Sequence, residues 1–293
     1  MKQYILYNPL SGNGSTRTEA EIVSLLSGDA YEENILIDVT KISSLSEAGY
    51  VVAPDDRLVI CGGDGTLNHF VNSADADTLP CDIYYLANGT GNDFLHDIPG
   101  GTAESPINVS RYLKHLPEVT VNGKTYRFLN NIGFGIDGYC TEVGDEMRAA
   151  HKEKINYTAI AIKGLLGKFR PVNATISVDG ITKEYRNVWL VPTMNGRFYG
   201  GGMMPTPGQD RLNAAHTVSV MVFRGKSRLK TLCVFPSIFE GEHLKHKEMV
   251  EILTGKHITV EFDRETPLQI DGETLKNITK YEVFANTDAP DPA

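Results

Sequence analysis

Cysteine is scarce in this chain. Its four cysteines (Cys61, Cys81, Cys140, Cys233) lie far apart and never in CxxC spacing. That spacing excludes a disulfide framework and a cysteine-ligated zinc site, and it suits buried thiols in a reducing compartment. Long apolar runs are missing too: the N-terminal stretch is too short for a signal peptide, and nothing approaches a membrane span. The expected location is therefore cytoplasmic, with the inner face of the membrane met only peripherally. Basic residues are outnumbered, 28 against 37 acidic, and the net charge of −9 argues against generic nucleic-acid binding. No GxxxxGK[ST] loop occurs, since Gly225-Lys226-Ser227 has no upstream glycine. The lysine that grips phosphate in that class is absent, so a cation has to do more of the neutralising. Internal repeats and low-complexity tracts are absent, and the residues from Asn286 onward read as a frayed tail.

What is present is a change of texture along the chain. The first part alternates strands, at 4–7, 35–39, 58–61 and 83–86, with helices at 16–26, 44–49 and 66–74. Ala20, Val23 and Leu26 are expected inward on the first helix, and Leu67, Phe70 and Val71 on the third. This rhythm predicts an α/β domain with a mostly parallel sheet, whose ligands sit beyond the carboxyl ends of the strands. From about Glu118 the segments 118–121, 126–131, 174–178, 188–193 and 218–223 are short and β-branched. Asn122-Gly123 and Asp179-Gly180 are hairpin signals, so a mainly antiparallel β-sandwich or barrel is expected. Helical insertions at 141–166 and 227–240 interrupt it. The expected domains are 1–122 and 123–278, with 279–293 a candidate return to the first.

Three glycine-bearing loops fall at the strand ends of the first part. Gly62-Gly63-Asp64-Gly65-Thr66-Leu67-Asn68 follows a buried strand and opens a helix, an arrangement in which N–H groups and the helix dipole converge on an anion. A bare carboxylate at Asp64 would repel phosphate, and a divalent cation between them reverses that sign. The plain alternative is a tight turn with Asp64 as a helix cap. Asn8-Pro9-Leu10-Ser11-Gly12-Asn13-Gly14 frees further amides. Asn88-Gly89-Thr90-Gly91-Asn92-Asp93-Phe94 adds a second carboxylate, Asp93, although Asn92 or Asp93 could equally cap the next helix. Gly133-Phe134-Gly135-Ile136-Asp137-Gly138 matches GxGxxG by letter but lies outside the opening βαβ unit, so it is no dinucleotide fingerprint. Asp137 joins Asp64 as a candidate metal carboxylate. Gln269-Ile270-Asp271-Gly272-Glu273 is either an exposed Asp-Gly hairpin or a source of the base that accepts a hydroxyl proton in phosphoryl transfer.

Taken in order, these motifs resemble the diacylglycerol kinase catalytic-domain family, the soluble lipid kinase group that includes sphingosine and ceramide kinases. The resemblance covers nearly the whole chain. It implies an NAD-kinase-like nucleotide domain, a β-sandwich domain and a cleft between them. ATP contacts are implied at Asn8, Pro9, Ser11, Gly12, Thr40, Gly63, Asp64, Gly65, Thr66, Asn68, Thr90 and Asp93. Glu273 is implied as the general base, with Asp271 in the same site. A structural Mg²⁺ is implied on the Asp210 side chain and backbone carbonyls at Pro207 and Leu212, where Pro207 replaces the family's lysine. His69 stands where the family usually has Glu. The expected activity is ATP- and Mg²⁺-dependent transfer to a lipid hydroxyl, diacylglycerol first, with a homodimer left open. The competing readings are an NAD kinase and a catalytically silent nucleotide- or lipid-binding member.

Arg148, His151, Lys152, Lys154, Lys163, Lys168 and Arg170 surround the apolar Ile155, Tyr157, Ile160, Ile162, Leu165, Leu166 and Phe169. Such a segment either lies on an anionic membrane or packs on the β domain with its lysines in water. Residues 224–230 repeat the pattern, and 243–247 read as a solvated face.

Overall fold

The computed structural model describes residues 1–9, 17–27, 31–73, 76, 78–89, 92–150 and 155–285. Ser11, Gly12, Thr90, His151, Lys152, Lys154 and the tail from Asn286 lie outside the described residues. The chain divides into two compact units, Met1–Lys114 and His115–Ala293.

The first unit runs β1 (Lys2–Tyr7), α1 (Glu19–Leu26), β2 (Glu33–Asp38), a 3₁₀ turn (Val39–Lys41), β3 (Arg57–Gly62), α2 (Asp64–Val71), β4 (Asp82–Ala87), α3 (Asp93–Asp97), β5 (Ile107–Asn108) and α4 (Ser110–Leu113). Its sheet has the order β2-β1-β3-β4-β5, with the first four strands parallel and β5 antiparallel. Every residue of β3 is buried, the signature of a parallel strand covered on both faces. Thr18 caps α1 in a reciprocal box with Glu21, so the helix starts at Glu19. That start turns Ile22 and Leu26 inward, leaving Ala20 exposed and Val23 half-buried, against expectation. The 44–49 segment forms turns, not a helix: the Ser44 hydroxyl accepts the Glu47 amide at 3.1 Å as a cap would, but a single bond from the Ala48 N–H to the Ser44 carbonyl follows before Gly49 turns away at φ +83.

In the second unit come β6 (Glu118–Val121), β7 (Lys124–Arg127), β8 (Asn131–Gly135), α5 (Ile136–Ala149), α6 (Tyr157–Lys163), a π turn (Gly164–Lys168), β9 (Val172–Val178), β10 (Ile181–Met194) and β11 (Val218–Arg224). There follow α7 (Arg228–Val234), 3₁₀ turns (Phe235–Glu240, Glu242–Lys245), β12 (Val250–Gly255), β13 (His257–Ile270) and β14 (Glu273–Phe284). The sheet path is β12-β11-β10-β8-β13-β14-β6-β7, and β9 pairs with both β10 and β13. These two long strands bend at register shifts, and each pairs with β9 along one half and with β8 along the other. The wrapped sheet encloses one apolar core, in which Phe134 stacks on Phe262 at 4.5 Å. A second cluster fastens α5, α6 and α7 around Trp189.

Asn122-Gly123 and Asp179-Gly180 are hairpin turns, each with two successive positive φ angles. The first of these joins β6 to β7 inside the second sheet, and residues 279–284 run within β14 of that same sheet. Strand 126–131 is split in two. The 243–247 segment is not a uniformly solvated face, for His243 is fully buried and bonded to the Pro205 carbonyl at 2.9 Å.

Gly135, at φ +94, turns β8 into α5 with its ideal Cβ position 2.3 Å from the Trp189 carbonyl oxygen. Gly135→Ala is expected to cost about 3 kcal/mol in chemical denaturation. Gly180→Ala, at positive φ but in open space, should cost only about 1 kcal/mol.

Candidate active site

Register aligns the carboxyl ends of the parallel strands: Tyr7 lies opposite Asp38 and Cys61, and Gly62 opposite Ala87. Asn8 and Pro9, Thr40, Gly63 to Asn68, and Asn88 onward therefore all leave the sheet at one edge. Hydrogen bonds knit the loops together there. The Asn8 amide N–H donates to the Cys61 carbonyl at 3.3 Å, and its side-chain amide to the Thr66 hydroxyl at 3.3 Å. The Asn88 N–H donates to the Gly62 carbonyl at 2.8 Å. Asp64, the first residue of α2, accepts the Phe94 N–H at 3.2 Å and so joins the second loop to α3. Asp93 is buried on the first turn of α3. Thr40 donates through its N–H and hydroxyl to Asp38, whose carboxyl is held below its ordinary range first by that hydroxyl. The Asn68 side-chain oxygen accepts from Asn72 one turn later at 3.0 Å.

Glycine is required where the second and third loops meet. A Cβ on Gly89 would lie 2.7 Å from the Gly63 Cα, so the loops touch main chain to main chain. A Cβ on Gly65 would meet no atom within 4 Å, leaving space in front of the α2 N-terminus. Bare main chain, a helix N-terminus and the hard oxygens of Asp64 suit a polyphosphate with a divalent cation.

Sequence reasoning missed Arg17. Its N–H donates to the Asn88 side chain at 2.9 Å, and its guanidinium donates to the Ala87 and Ala103 carbonyls. No motif marks it. Its contacts lie about seventy residues away in the chain and arise only when the sheet forms. His69 is exposed on the last turn of α2, and with Thr66 and Phe70 it lines a small cavity of about 30 Å³.

The second unit concentrates its polar chemistry around β8. Asp271 and Gly272 form the tight turn between β13 and β14, both at positive φ. The Asp271 carboxylate accepts three consecutive main-chain amides, from Leu129 at 2.5 Å, Asn130 at 2.8 Å and Asn131 at 3.0 Å. This is what interrupts the expected strand 126–131: residues 129–131 turn their amides to a side chain, while the Phe128 N–H donates to the Pro117 carbonyl at 3.2 Å. Arg211 donates to the Leu129 carbonyl and the Asn130 side chain, and the Asn195 amide donates to Leu129 at 3.0 Å. Glu273, the first residue of β14, is exposed.

Asp137 lies buried on the first turn of α5, accepting the side-chain amides of Gln269 at 2.9 Å and Asn131 at 3.4 Å. Its carboxyl occupies the space where a Cβ of Gly133 would stand, while Gly138 packs on the Pro267 carbonyl. These contacts, with that of Gly135, account for the GxGxxG letters as packing of β8 and α5. Burial pushes Asp137 up to about 7, opposed by the amides of Gln269 and Asn131. Asp210 is exposed and accepts the Leu212 N–H at 2.9 Å, folding 210–212 into a turn. Among the described residues no three His, Cys, Asp or Glu side chains gather into a metal site.

The diacylglycerol kinase catalytic-domain profile matches residues 2–121, and that of the YegS C-terminal NAD kinase beta sandwich-like domain matches residues 130–284. A Mycobacterium tuberculosis protein named diacylglycerol kinase is 26% identical over 274 residues, covering 87% of this chain and 82% of the relative. A crystal structure described as a diacylglycerol kinase from Bacillus anthracis superposes with a TM-score of 0.63 at 18% identity, covering 97% of this chain and 94% of that one. That second likeness is one of fold.

Two outcomes are expected at these positions. Gly65→Ala should fold with undiminished thermal stability yet bind ATP more weakly by calorimetry, whereas Gly89→Ala should lose about 2 kcal/mol or more of stability. For Asp137, the raised carboxyl keeps its proton in the folded chain while the unfolded chain releases it. Its contribution therefore lowers stability as pH rises from about 4, with the loss complete above about 7. Asp137→Asn should remove this slope from the variant, so the wild-type minus variant difference in unfolding free energy should fall by on the order of 4 kcal/mol between about pH 4 and 7, read by chemical denaturation.

Proposed function

The chain belongs to the diacylglycerol kinase catalytic-domain family, a lipid kinase family, and from that premise we propose that it transfers the γ-phosphate of ATP to the hydroxyl of a membrane lipid, diacylglycerol to phosphatidate in the leading case. The observation that carries this reading is the main-chain meeting of Gly63 and Gly89 beside Asp64, at the carboxyl edge of a parallel sheet. Backbone amides of the first and second loops, with Thr66 and Asn68, hold the polyphosphate, and Thr40 and Thr90 complete the nucleotide contacts. Asp64 and Asp93 hold Mg²⁺ directly or through water. When bound, that ion neutralises phosphate charge and favours the transferring group.

Glu273 takes the acceptor proton as general base. Its exposure on the strand that leaves the Asp271 turn suits a group that has to reach a substrate hydroxyl. Asp271 acts as a positioning residue, since its oxygens are engaged by three amides. Asp210, with the carbonyls of Pro207 and Leu212, is the proposed seat of a structural Mg²⁺. Asp137 would have to ionise to join a metal, and its burial opposes that.

The test is labelled-ATP transfer to a panel of glycerolipid, sphingoid and polyprenol acceptors in mixed micelles, with NAD as the competing acceptor. Phosphorylated lipid supports the reading, and phosphorylated NAD or ATP consumption with no acceptor overturns it. Glu273→Gln should lower kcat about 10²- to 10⁴-fold with ATP affinity unchanged, and retained turnover would remove Glu273 from its role.

A further inference from the structure

The loops 8–17, 62–68 and 88–94 at the carboxyl edge of the first sheet hold two carboxylates, Asp64 and Asp93, and a single Lys or Arg, which is Arg17. In the sheet β3 lies between β1 and β4. Asn8 fastens the start of the first loop to β3 and α2, through the Cys61 carbonyl and the Thr66 hydroxyl. Arg17 fastens its end one strand further on. The Arg17 N–H donates to the Asn88 side chain at 2.9 Å, and the guanidinium donates to the Ala87 carbonyl at 3.0 Å and the Ala103 carbonyl at 2.5 Å. Those two carbonyls flank one excursion of the chain, 88–102, which carries Asp93 on α3. One side chain closes it.

Closing a loop does not need a charge, since a neutral amide can also satisfy two carbonyls. Yet both partners of this half-buried guanidinium are neutral, and among the described residues no carboxylate pairs with it. Two of its five N–H donors are spent and its charge stands uncompensated. That charge is felt at the end of β3: burial pushes the Cys61 thiol up to about 12, and Arg17 opposes the rise. Cys61 directly precedes Gly62-Gly63-Asp64, where the positive end of the α2 dipole already gathers. A fixed cation, a helix N-terminus and bare main chain at one edge match a ligand carrying several negative charges. We propose that Arg17 is the fixed cation of the nucleotide site, holding the third loop with two N–H groups and meeting the outer phosphates of ATP with the rest. The inference rests on the ATP-dependent reading above and adds to it a residue that makes affinity depend on phosphate number.

Calorimetry of the full chain with ATP, ADP and AMP, each with magnesium, tests this on Arg17→Gln and Arg17→Lys. Arg17→Gln keeps an N–H for the Ala87 carbonyl and removes the charge. It should weaken ATP and ADP about tenfold or more and leave AMP within about twofold. Arg17→Lys keeps the charge without the planar fork, and its ATP affinity should fall between the two. Lys2→Met, which removes a cation at the opposite end of β1, should change none of the three affinities. Equal weakening of all three nucleotides by Arg17→Gln leaves Arg17 a clamp only and overturns the proposal. So does unchanged ATP affinity in both variants, or a loss in Lys2→Met as large as in Arg17→Gln. If Arg17→Gln does not fold, Arg17→Lys decides by the same comparison of ATP with AMP. Turnover measured in parallel separates the two readings. Phosphorylated NAD, or no phosphorylated acceptor, with the Arg17 effect on ATP intact would sink the lipid-kinase reading alone. Phosphorylated lipid with ATP bound equally by wild type and Arg17→Gln would sink the role of Arg17 alone. Absence of nucleotide binding by the wild type would sink both.

Discussion

Buried main-chain amides have to find acceptors, and in the second unit one carboxylate settles that constraint for three residues in succession. Asp271 takes the amides of Leu129, Asn130 and Asn131. It thereby ends β7, starts β8 and fixes where the β13–β14 turn lies against them. Everything hung on β8 inherits this placement: Asn131, which reaches Asp137, the Gly135 turn into α5, and Gln269, whose side chain holds both Asp137 and the Gly272 amide. Arg211 and Asn195 secure the same loop through its carbonyls. One short turn is therefore tied to several elements far apart in sequence.

The first unit solves a different problem with less. Its strands end in register, and its loops approach by having no side chains rather than by having the right ones. What remains at that edge is a set of oriented main-chain dipoles beside the carboxylates of Asp64 and Asp93.

Much of this was legible in the sequence because its signals are local. The Gly62–Asn68 run, the strand–helix alternation and the Asn-Gly and Asp-Gly hairpins each depend on a few adjacent residues, and the family-level motifs are strings of that kind. What escaped depends on partners distant in the chain. Arg17 gives no sign of its bond to Ala87 until β4 is placed. The Asp271-Gly272 pair reads as an ordinary exposed turn, which it is by backbone, while its side chain does something periodicity cannot encode. His243 sits among lysines in sequence but turns to a carbonyl of the preceding loop. The 44–49 segment has helical composition and a serine cap, yet it stops after about one turn, where Gly49 takes a positive φ. On α1, which begins at Glu19 and not at residue 16, the inward face carries Ile22 beside Leu26 in place of Ala20 and Val23.

The chain has a single tryptophan, and Trp189 lies among α5, α6 and α7 with its indole N–H given to the Gly225 carbonyl at 2.7 Å and the Arg228 guanidinium above its ring. Its emission therefore reports, without any label, on one small neighbourhood only. A shift in its wavelength registers displacement of Arg228 or loosening of the 224–228 loop, while unrelated events elsewhere in the fold stay spectrally silent.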